Sequence, residues 1–348
     1  MEHELYIARC LQLAACGVGF VAPNPMVGAV LVCDGKIIGE GYHHAYGQPH
    51  AEVNAIAEVK AQNAELLSKS TLYVNLEPCA HYGKTPPCAE LIISSGISKV
   101  VIGNIDPNPK VAGKGVKMLQ NAGIEVITGV LENECRELNK RFFTFIEKKR
   151  PYIFLKWAQT ADGFLDKKRT NASEPPLVIS NELTKLLTHK IRTENQAIMV
   201  GTNTALLDNP KLSARRWEGK NPVRLVIDAH RRIPENFNIF DGTQPTIIFT
   251  EKTNNLHKNN VDFVNIDFSK NIINNLLTAI YQQNIHSVLV EGGQMLLQSF
   301  IQSGLWDYAQ MEIAPFTIGS GIAAPALAKL PTKETDYNGH RVLEFENI

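Results

Sequence analysis

The sequence predicts an α/β protein with two domains, each built as a sheet with helices on its faces. Its 348 residues are more than one ordinary hydrophobic core serves, so two domains are expected. Short apolar segments bounded by turn residues alternate along the chain with segments of helical periodicity. Hydrophobic residues make up 44% of the chain, which is enough for conventional globular packing.

The first half of the chain has the pattern of a three-layer α/β sandwich. Helices are predicted at residues 4–16, 51–62, 89–94 and 115–122. Strands are predicted at residues 27–32, 36–41, 71–75, 99–103 and 124–128, with Asp34-Gly35 as a hairpin turn. A charged helical segment at 136–149 leads to Pro151. The boundary is placed there, which gives domains 1–148 and 149–348.

The second half predicts another α/β domain with a mostly parallel sheet. Strands are expected at residues 152–157, 196–200, 223–228, 246–250, 287–291 and 308–314. Helices are expected at residues 181–192, 271–283 and 294–303. The polar segment 166–176 contains two prolines and predicts a mobile loop.

The charge balance and the cysteine content limit which binding partners and which cellular compartment are expected for this chain. The 35 basic and 35 acidic residues balance, which does not favour nucleic acid as a partner. The overall balance leaves a local basic patch as an alternative. No apolar run is long enough for a membrane span, and the N-terminus has no basic signal-peptide region. We therefore expect a cytoplasmic protein with no membrane partner. Four cysteines in apolar contexts are predicted to be buried free thiols, namely Cys10, Cys16, Cys33 and Cys135.

One constellation in the first half predicts a reaction as well as a fold. His50, Cys79 and Cys88 supply one imidazole and two thiols, which can hold zinc and leave its fourth position open for water. Glu52, two residues from the histidine, can move protons to and from that water. The positive end of the predicted helix at 51–62 lies beside it. This pattern is typical of zinc-dependent nucleobase deaminases, which replace a ring amino group.

The spacing of the two cysteines departs from the usual Cys-x-x-Cys closure. Eight residues separate Cys79 from Cys88, and this insert contains His81. A structural zinc site with His81 as the fourth ligand is an alternative, as are three core residues that never meet. Glu52 favours the catalytic interpretation, because a closed structural site has no use for an acid beside its histidine.

The second half has no standard nucleotide-binding motif. Neither Gly-x-Gly-x-x-Gly nor a Walker sequence follows any predicted strand. Small residues do stand at two strand-to-helix junctions, in Gly201-Thr202-Asn203-Thr204 and in Glu291-Gly292-Gly293. Such junctions let a phosphate approach backbone N–H groups, although ordinary turns have the same composition. A phosphorylated ligand is the most that these residues predict by themselves.

Taken together, the motifs resemble those of one family, the bifunctional deaminase/reductases of riboflavin biosynthesis. The residues that carry the resemblance in the first half are Pro23-Asn24-Pro25-Met26-Val27-Gly28, His50-Ala51-Glu52 and the segment 77–88. In the second half they are the segment 156–163, Gly201-Thr202-Asn203-Thr204, Asp208-Asn209-Pro210 and the segment 289–293. The resemblance spans nearly the whole chain in the expected order, and the long insert between the cysteines is part of it.

The resemblance implies a cytidine-deaminase-like N-terminal domain and a dihydrofolate-reductase-like C-terminal domain. It implies zinc and NADPH as cofactors and a diamino-ribosylamino-pyrimidinone phosphate as substrate. The N-terminal domain would replace the ring amino group and release ammonia. The C-terminal domain would then reduce the ribosyl group to ribityl. A homo-oligomer is expected, because the reductase half is a plausible surface for self-association.

The resemblance also implies residue roles in the deaminase half. His50, Cys79 and Cys88 would hold zinc, and Glu52 would be the catalytic proton shuttle. The contacts to the pyrimidine or its ribose phosphate would be Asn24, His43, His81 and Lys84. His44 competes with His43 for its role, and the sequence leaves that choice open.

In the reductase half the resemblance assigns two sets of contacts. The substrate contacts would be Lys156, Arg192, Leu212, Arg215 and Glu291, with the two arginines suited to a phosphate. The NADPH contacts would be Ala158, Thr204, Asp208, Gly293, Gln294, Met295, Leu296, Leu297, Gln298 and Ser299.

One position departs from the family pattern. The resemblance places Val178 near the position where the family often has a tryptophan, so a stacking surface for cofactor or substrate is missing there. A deaminase whose C-terminal half is a non-catalytic binding or dimerisation module is therefore an alternative. Lys156, Asp208 and Glu291 argue against it. An RNA-editing deaminase is a third interpretation, but it would have a basic face and a Cys-x-x-Cys closure.

Overall fold

A computed structural model describes residues 2–82, 86–109, 111–252 and 259–347. The chain divides into two compact units, Met1–Lys149 and Arg150–Ile348, which we describe separately. Among the described residues, no helix combines the length and the apolar character that crossing a membrane requires.

The N-terminal unit contains one five-stranded mixed sheet. Its strands are β1 (Gly28–Cys33), β2 (Lys36–Tyr42), β3 (Thr71–Leu76), β4 (Lys99–Asn104) and β5 (Glu125–Thr128). Its helices are α1 (Glu2–Ala15), α2 (Ala51–Asn63), α3 (Cys88–Ser94), α4 (Lys114–Asn121), α5 (Glu132–Leu138) and α6 (Lys140–Lys148). The strand order is β2-β1-β3-β4-β5, in which β1 is antiparallel to both neighbours and the remaining pairs are parallel.

Strand β1 lies in the middle layer and is buried along its whole length. Its alternate side chains point to opposite faces of the sheet. Ala29 and Leu31 join a core with residues of α2, α3 and α4, whereas Val30 and Val32 join a core with residues of α1 and α5. The predicted three-layer sandwich is confirmed.

The predicted helix at 136–149 is divided at Asn139. The Asn139 side chain accepts a hydrogen bond from Met26 N at 2.8 Å and donates one to Met26 O at 2.9 Å. This pairing fixes Asn139 outside helical geometry, so α5 ends and α6 begins there. The prediction of four buried thiols is wrong for Cys16, which follows the end of α1 and is exposed.

The C-terminal unit contains a nine-stranded sheet of order β11-β10-β9-β8-β12-β6-β13-β16-β15. Its strands are β6 (Tyr152–Gln159), β8 (Ala197–Gly201), β9 (Val223–Ile227), β10 (Thr246–Thr250), β11 (Val261–Asn265), β12 (Ser287–Val290), β13 (Tyr308–Ile313), β15 (Lys333–Tyr337) and β16 (His340–Glu346). The first seven strands in that order are parallel, which confirms the prediction of a mostly parallel sheet. Strand β16 is antiparallel to both of its neighbours, β13 and β15. Strands β7 (Phe164–Asp166) and β14 (Ile322–Ala323) form a separate pair.

The helices of this unit cover both faces of the large sheet. They are α7 (Glu182–Glu194), α8 (Thr202–Asp208), α9 (Ile272–Gln282) and α10 (Gln294–Ser303). Residues of α9 and α10 join one core, and residues of α7 and α8 pack in the other. Helix α8 and strands β7, β11, β14, β15 and β16 were not predicted. Strand β15 has the sequence Lys-Glu-Thr-Asp-Tyr at an exposed sheet edge, so it carries no apolar signal.

The segment predicted as a mobile loop is held by Arg169. Its guanidinium donates to Asp166 Oδ2 at 2.7 Å, to the Leu207 carbonyl at 3.2 Å and to the Asp208 carboxylate. The Arg169 side chain is 5% exposed. These contacts connect residues after β7 to the end of α8, so the loop has a defined structure.

Candidate functional site

The three predicted metal ligands meet at one point in the N-terminal unit. His50 immediately precedes α2, Cys79 follows β3, and Cys88 begins α3. His50 Nδ1 lies 3.7 Å from Cys79 Sγ and 3.3 Å from Cys88 Sγ, and all three ligand atoms lie within 4.8 Å of one another. Zinc bonds of roughly 2.0–2.3 Å in a tetrahedron place ligand atoms roughly 3.3–3.8 Å apart. The residues therefore fit zinc, and the alternative in which they never meet is excluded.

His81 does not close this centre as a fourth ligand. It is exposed, and the metal-binding group found among the described residues consists of His50, Cys79 and Cys88. Three protein ligands leave one position for water, which is the arrangement of catalytic zinc sites.

Of the two cysteines, Cys79 is the one prepared for metal binding, because its hydrogen bond with Cys88, together with burial, raises the pKa of the Cys88 thiol. The Cys88 N–H donates to Cys79 Sγ at 3.3 Å, and Ala89 N donates to the Cys79 carbonyl at 3.2 Å. Hydrogen bonds from the Cys88 and His50 side chains lower the pKa of the Cys79 thiol to about 4. Because a thiolate is the form that binds metal, Cys79 needs no proton loss at neutral pH.

Glu52 lies in the first turn of α2 and is 3% exposed. Burial raises its pKa to about 6, and the Cys79 sulfur adds to that shift. A carboxyl group with a pKa near neutrality can both accept and return a proton. Glu52 is not a member of the metal-binding group, so it can serve as the acid and base of the site.

Asn24 and His43, both predicted substrate contacts, are joined by a hydrogen bond. His43 is 2% exposed, and its Nδ1 lies 3.0 Å from the Pro49 carbonyl while its Nε2 lies 3.1 Å from Asn24 Nδ2. A carbonyl can only accept, so Nδ1 carries the proton and Nε2 accepts from the Asn24 amide. Burial lowers the pKa of His43, which favours this neutral form. Because Asn24 Nδ2 is engaged by His43, the side-chain oxygen is the atom of this amide that could accept from a ligand.

The structure separates His43 from its competitor His44. The His43 ring packs edge-on to His50 with centroids 5.3 Å apart, whereas His44 is exposed and stacks on Tyr42 at 4.0 Å. His43 is therefore the histidine beside the metal centre. Lys84, the remaining predicted contact, lies outside the described residues.

Asp106 was missed by sequence reasoning. It follows β4 and is 8% exposed, and burial raises its pKa to about 6. The nearby Glu77 and Cys79 raise the pKa of Asp106 further, whereas His81 lowers it. An acidic residue directly after a buried parallel strand was the available signal, because strand ends line sites in such sheets.

In the C-terminal unit the predicted substrate contacts Arg192 and Glu291 bind each other. Arg192 Nε donates to Glu291 Oε1 at 2.9 Å, a second nitrogen donates to Oε2 at 2.5 Å, and the third donates to the Ser213 carbonyl at 3.0 Å. Burial alone would raise the pKa of Glu291, but Arg192 and then Lys156 outweigh it, so the pKa is lowered. Every nitrogen of this guanidinium is engaged within the protein. Arg215, which is exposed, is better placed for a phosphate.

Lys156 lies beside Glu291 because of strand register. Strands β6 and β12 are parallel neighbours in which Leu155 pairs with Val290, so the next residues of both strands are adjacent. The Lys156 side chain is 10% exposed, and its Nζ lies 3.9 Å from Glu312 Oε2. Glu312 on β13 is a second site residue that sequence reasoning missed. The available signal was a carboxylate inside a strand whose two faces are covered, since such a group requires a partner.

Two further residues line this region. Leu212 is 4% exposed and has a φ of 52°, an uncommon backbone conformation for a branched side chain. His189 on α7 is 6% exposed, and its Nδ1 is a buried nitrogen with no hydrogen-bond partner among the residues that the structure describes. Burial, with Arg192 and Arg215 nearby, lowers the pKa of His189 to about 4, so the ring is neutral. An unsatisfied buried nitrogen carries a cost that a bound ligand can remove.

The predicted NADPH contacts surround two strand-to-helix junctions. Gly293 precedes α10 with a φ of 61°, and a Cβ there would lie 3.1 Å from Thr204 Oγ1 at the start of α8. Glycine therefore permits the two junctions to approach closely. Ala158 is half-buried at the end of β6, and the carboxylate of Asp208 is bound by Arg169.

Six predicted cofactor contacts lie on α10, and they differ in what their side chains do. Leu296 and Leu297 belong to the core at 8% and 1% exposure, so their side chains face away from a ligand. Gln298 Oε1 accepts from a backbone amide outside the helix at 2.8 Å, and Ser299 donates to the Met295 carbonyl at 2.8 Å. Gln294 is half-buried, and Met295 is 75% exposed. The helix can thus offer Gln294, Met295 and its first backbone amides.

Comparison with known proteins gives consistent matches over both units. Residues 1–104 match the family model described as the cytidine and deoxycytidylate deaminase zinc-binding region, and residues 151–343 match the RibD C-terminal domain. The riboflavin biosynthesis protein RibD of Aquifex aeolicus is 43% identical over 91% of this chain and 88% of its own length. RibD of Escherichia coli is 35% identical over 96% of this chain and 93% of its own length.

Solved structures agree with these matches. The diaminohydroxyphosphoribosylaminopyrimidine deaminase/5-amino-6-(5-phosphoribosylamino)uracil reductase of Thermotoga maritima is 37% identical, with a TM-score of 0.87 over 99% of this chain and 98% of that one. A RibD structure from Acinetobacter baumannii is 30% identical, with a TM-score of 0.88 over the same shares. The similarity therefore extends over both units.

Proposed function

This chain belongs to the RibD family of bifunctional riboflavin-biosynthesis enzymes, and we propose that its two units act in sequence on one pyrimidine. The N-terminal unit deaminates a diamino-ribosylamino-pyrimidinone phosphate, and the C-terminal unit reduces the ribosyl group of the product to ribityl with NADPH. The observation that carries the first activity is the convergence of His50, Cys79 and Cys88 next to the buried Glu52. The match over residues 151–343 disfavours a non-catalytic C-terminal module.

In the deaminase site, Glu52 is the catalytic proton shuttle. Zinc held by His50, Cys79 and Cys88 supplies Lewis-acid activation of a water at neutral pH. Glu52 accepts a proton from the attacking water and delivers protons to the ring nitrogen and the leaving amine. Its pKa of about 6 allows transfer in both directions near neutrality.

The deaminase substrate contacts follow from the orientation of Asn24. His43 Nε2 accepts from the Asn24 amide nitrogen, so the Asn24 carbonyl oxygen accepts from an N–H of the pyrimidine. His81 is exposed at the start of the insert between the two cysteines, where it can reach the ribose phosphate. Lys84 is part of this proposal by its position in the family motif.

In the reductase site, charged side chains hold the substrate and α8 and α10 hold the cofactor. NADPH, when bound, supplies the hydride, and the protein orients the two reactants and excludes water. Lys156 contacts the opened sugar, Glu291 holds Arg192 in place beside it, and Arg215 contacts the phosphate. Leu212 shapes the wall of the site. Ala158, Thr204, Asp208 and the segment 293–299 contact NADPH.

Three coarser features complete the proposal. The functional domains are residues 1–148 and 149–348, which the division after Lys149 supports. The protein forms a homo-oligomer, which sedimentation of the purified chain tests. It acts in the cytoplasm, in keeping with six cysteines that form no disulfide.

A coupled assay on purified, zinc-replete protein tests the function. Ammonia release is followed with and without NADPH, and NADPH oxidation is followed alongside. Release of ammonia together with NADPH oxidation supports both activities. Ammonia without NADPH oxidation leaves a deaminase with a silent C-terminal unit. If neither is observed, the substrate assignment is wrong.

A further inference from the structure

Glu312 lies at the centre of a buried polar cluster in the C-terminal unit. It is 1% exposed, and three donors converge on its carboxylate, two from the start of α7 and one from β16. Ser180 Oγ donates to Oε2 at 2.6 Å, Thr184 Oγ1 donates to Oε1 at 2.7 Å, and His340 Nδ1 lies 2.9 Å from Oε1. Ser180 precedes α7, Thr184 lies within it, and His340 begins β16. Because each carboxylate oxygen accepts from at least one of these anchored side chains, the orientation of the carboxylate is fixed.

The fixed carboxylate faces Lys156 on the neighbouring strand. Lys156 Nζ lies 3.9 Å from Glu312 Oε2, with side-chain exposures of 10% and 2%. An ammonium group with so little contact with water is costly unless an opposite charge lies close to it. Strand β6 lies between β12 and β13, so Lys156 has a carboxylate on each side.

The two carboxylates are not equivalent for Lys156. Glu291, on the β12 side, already accepts two hydrogen bonds from Arg192. Glu312, on the β13 side, has no arginine partner among the described residues. The hydroxyl groups of Ser180 and Thr184 and the imidazole of His340 orient its carboxylate. Glu312 is therefore the carboxylate that is left to balance Lys156.

We propose that Glu312 is a positioning residue of the reductase site, which directs the Lys156 ammonium at the sugar of the substrate. This inference rests on the proposed role of Lys156 as a substrate contact. Glu312 acts through Lys156 and does not itself touch the substrate. A purely structural role, in which Glu312 only links α7, β13 and β16, makes a different prediction, because it would affect substrate and cofactor alike.

The test is Glu312→Gln, which keeps the size of the side chain and removes its charge. We expect the KM for the deaminated ribosyl substrate to rise roughly tenfold to hundredfold, because the largely buried Lys156 ammonium loses an opposing charge 3.9 Å away. The KM for NADPH and the rate of ammonia release by the same chain should stay within about twofold of wild type. Ammonia release serves as a control within the same molecule.

Two further variants separate positioning from structure. Glu334→Gln makes the same substitution at an exposed ion pair, where Arg341 Nε donates to Glu334 at 2.6 Å on the edge strand β15, and should change neither KM. Thr184→Val removes one of the donors that orient Glu312 but keeps the charge, so it should raise the KM for the ribosyl substrate less than Glu312→Gln does and leave the KM for NADPH within about twofold.

Several outcomes would overturn the proposal. An unchanged substrate KM in folded Glu312→Gln shows that Lys156 does not depend on Glu312. A parallel rise in both KM values, with loss of stability, indicates the structural role. If Glu312→Gln does not fold, Glu312→Asp keeps the negative charge but moves it away from Lys156, because the aspartate side chain is one methylene shorter. An unchanged substrate KM in Glu312→Asp also contradicts the proposal. A wild-type chain that releases ammonia but never oxidises NADPH refutes the reductase assignment itself, and this inference with it.

Discussion

Glu52 in the N-terminal unit and Glu291 in the C-terminal unit are both largely removed from water, yet their surroundings shift their pKa values in opposite directions. Burial raises the pKa of Glu52 to about 6, and the nearby His50 opposes this shift only in part. Burial acts on Glu291 as well, but Arg192 and Lys156 outweigh it and lower the pKa. One carboxyl group can thus exchange protons near neutral pH, whereas the other is a fixed negative charge.

This contrast extends to how each site is assembled. The metal centre draws its ligands from nearby positions, since His50 is 29 residues from Cys79 and 38 from Cys88. In the C-terminal unit Arg192 and Glu291 are 99 residues apart, and Thr184 and Glu312 are 128 apart. A metal centre requires particular residue types at close spacing. A set of fixed charges can be built from any strand ends that the sheet brings together.

The largest expected effect is at the proton-exchanging glutamate. In Glu52→Gln the side chain keeps its size but cannot carry a proton between water and substrate, so ammonia release should fall about a thousandfold or more. Zinc content, measured by atomic emission, should stay at one ion per chain, and reduction of added deaminated intermediate should be unchanged. Retained ammonia release would remove Glu52 from the mechanism, and loss of zinc would make it a structural part of the centre.

A smaller loss is expected at the fixed charge. Glu291→Gln leaves Arg192 without its carboxylate partner, so kcat/KM for NADPH oxidation should fall about a hundredfold, in the range of breaking a charged hydrogen-bonded pair. Ammonia release from the same chain should be unchanged. Loss of both activities would contradict the expectation, because it would indicate a folding defect or functional coupling between the two units.

A third buried group shows what burial does when it is the only cause of the shift. Burial lowers the pKa of His286 to about 4 in the folded chain, against an ordinary value of about 6.5 when unfolded. Between about pH 6.5 and pH 4, His286 binds a proton in the unfolded state but not in the folded state. Stability is therefore complete above about pH 6.5 and is lost as the pH falls from there to 4.

His286→Gln should flatten this pH dependence. Between pH 7.5 and pH 5 the wild type should lose about 2 kcal/mol more unfolding free energy than the variant. Urea unfolding followed by tryptophan fluorescence measures this in the C-terminal unit, because all three tryptophans lie after residue 150. Equal losses in the two proteins would show that His286 is protonated in the folded state.

The smallest effect is expected at Val178, where the motif of the C-terminal unit lacks a residue that the family often has. The deaminase motif shows no comparable gap, whereas Val178, which is expected near the tryptophan position of the family motif, is 66% exposed. Val178→Trp should tighten NADPH binding about two- to tenfold by supplying a stacking surface. NADPH fluorescence titration measures the change, with Ile322→Trp, 41% exposed on β14, as a matched control. Equal affinities in Val178→Trp and wild type would show that the position does not contact cofactor.

The sequence predicts most of the deaminase unit because its strands are apolar runs between turn residues and its ligands are restricted residue types. It predicts less of the reductase unit, since β15 is polar and exposed and α8 has only seven residues. The pairing of Arg192 with Glu291 was not predicted, because spacing does not show which opposite charges meet. Glu312 was visible in principle as a charge within Met311-Glu312-Ile313, but its partners come from β6, α7 and β16.

The contact between His340 on β16 and Glu312 on β13 also sets an order of events on the ribosome. All three metal ligands have been synthesised once residue 88 is added, whereas the Glu312 cluster is incomplete until residue 340. At roughly 5–20 residues per second, about 250 further residues take on the order of 10–50 s. A nascent chain should therefore contain every ligand of its zinc pocket well before it contains every member of the Glu312 cluster, so the deaminase unit can be completed before the reductase unit.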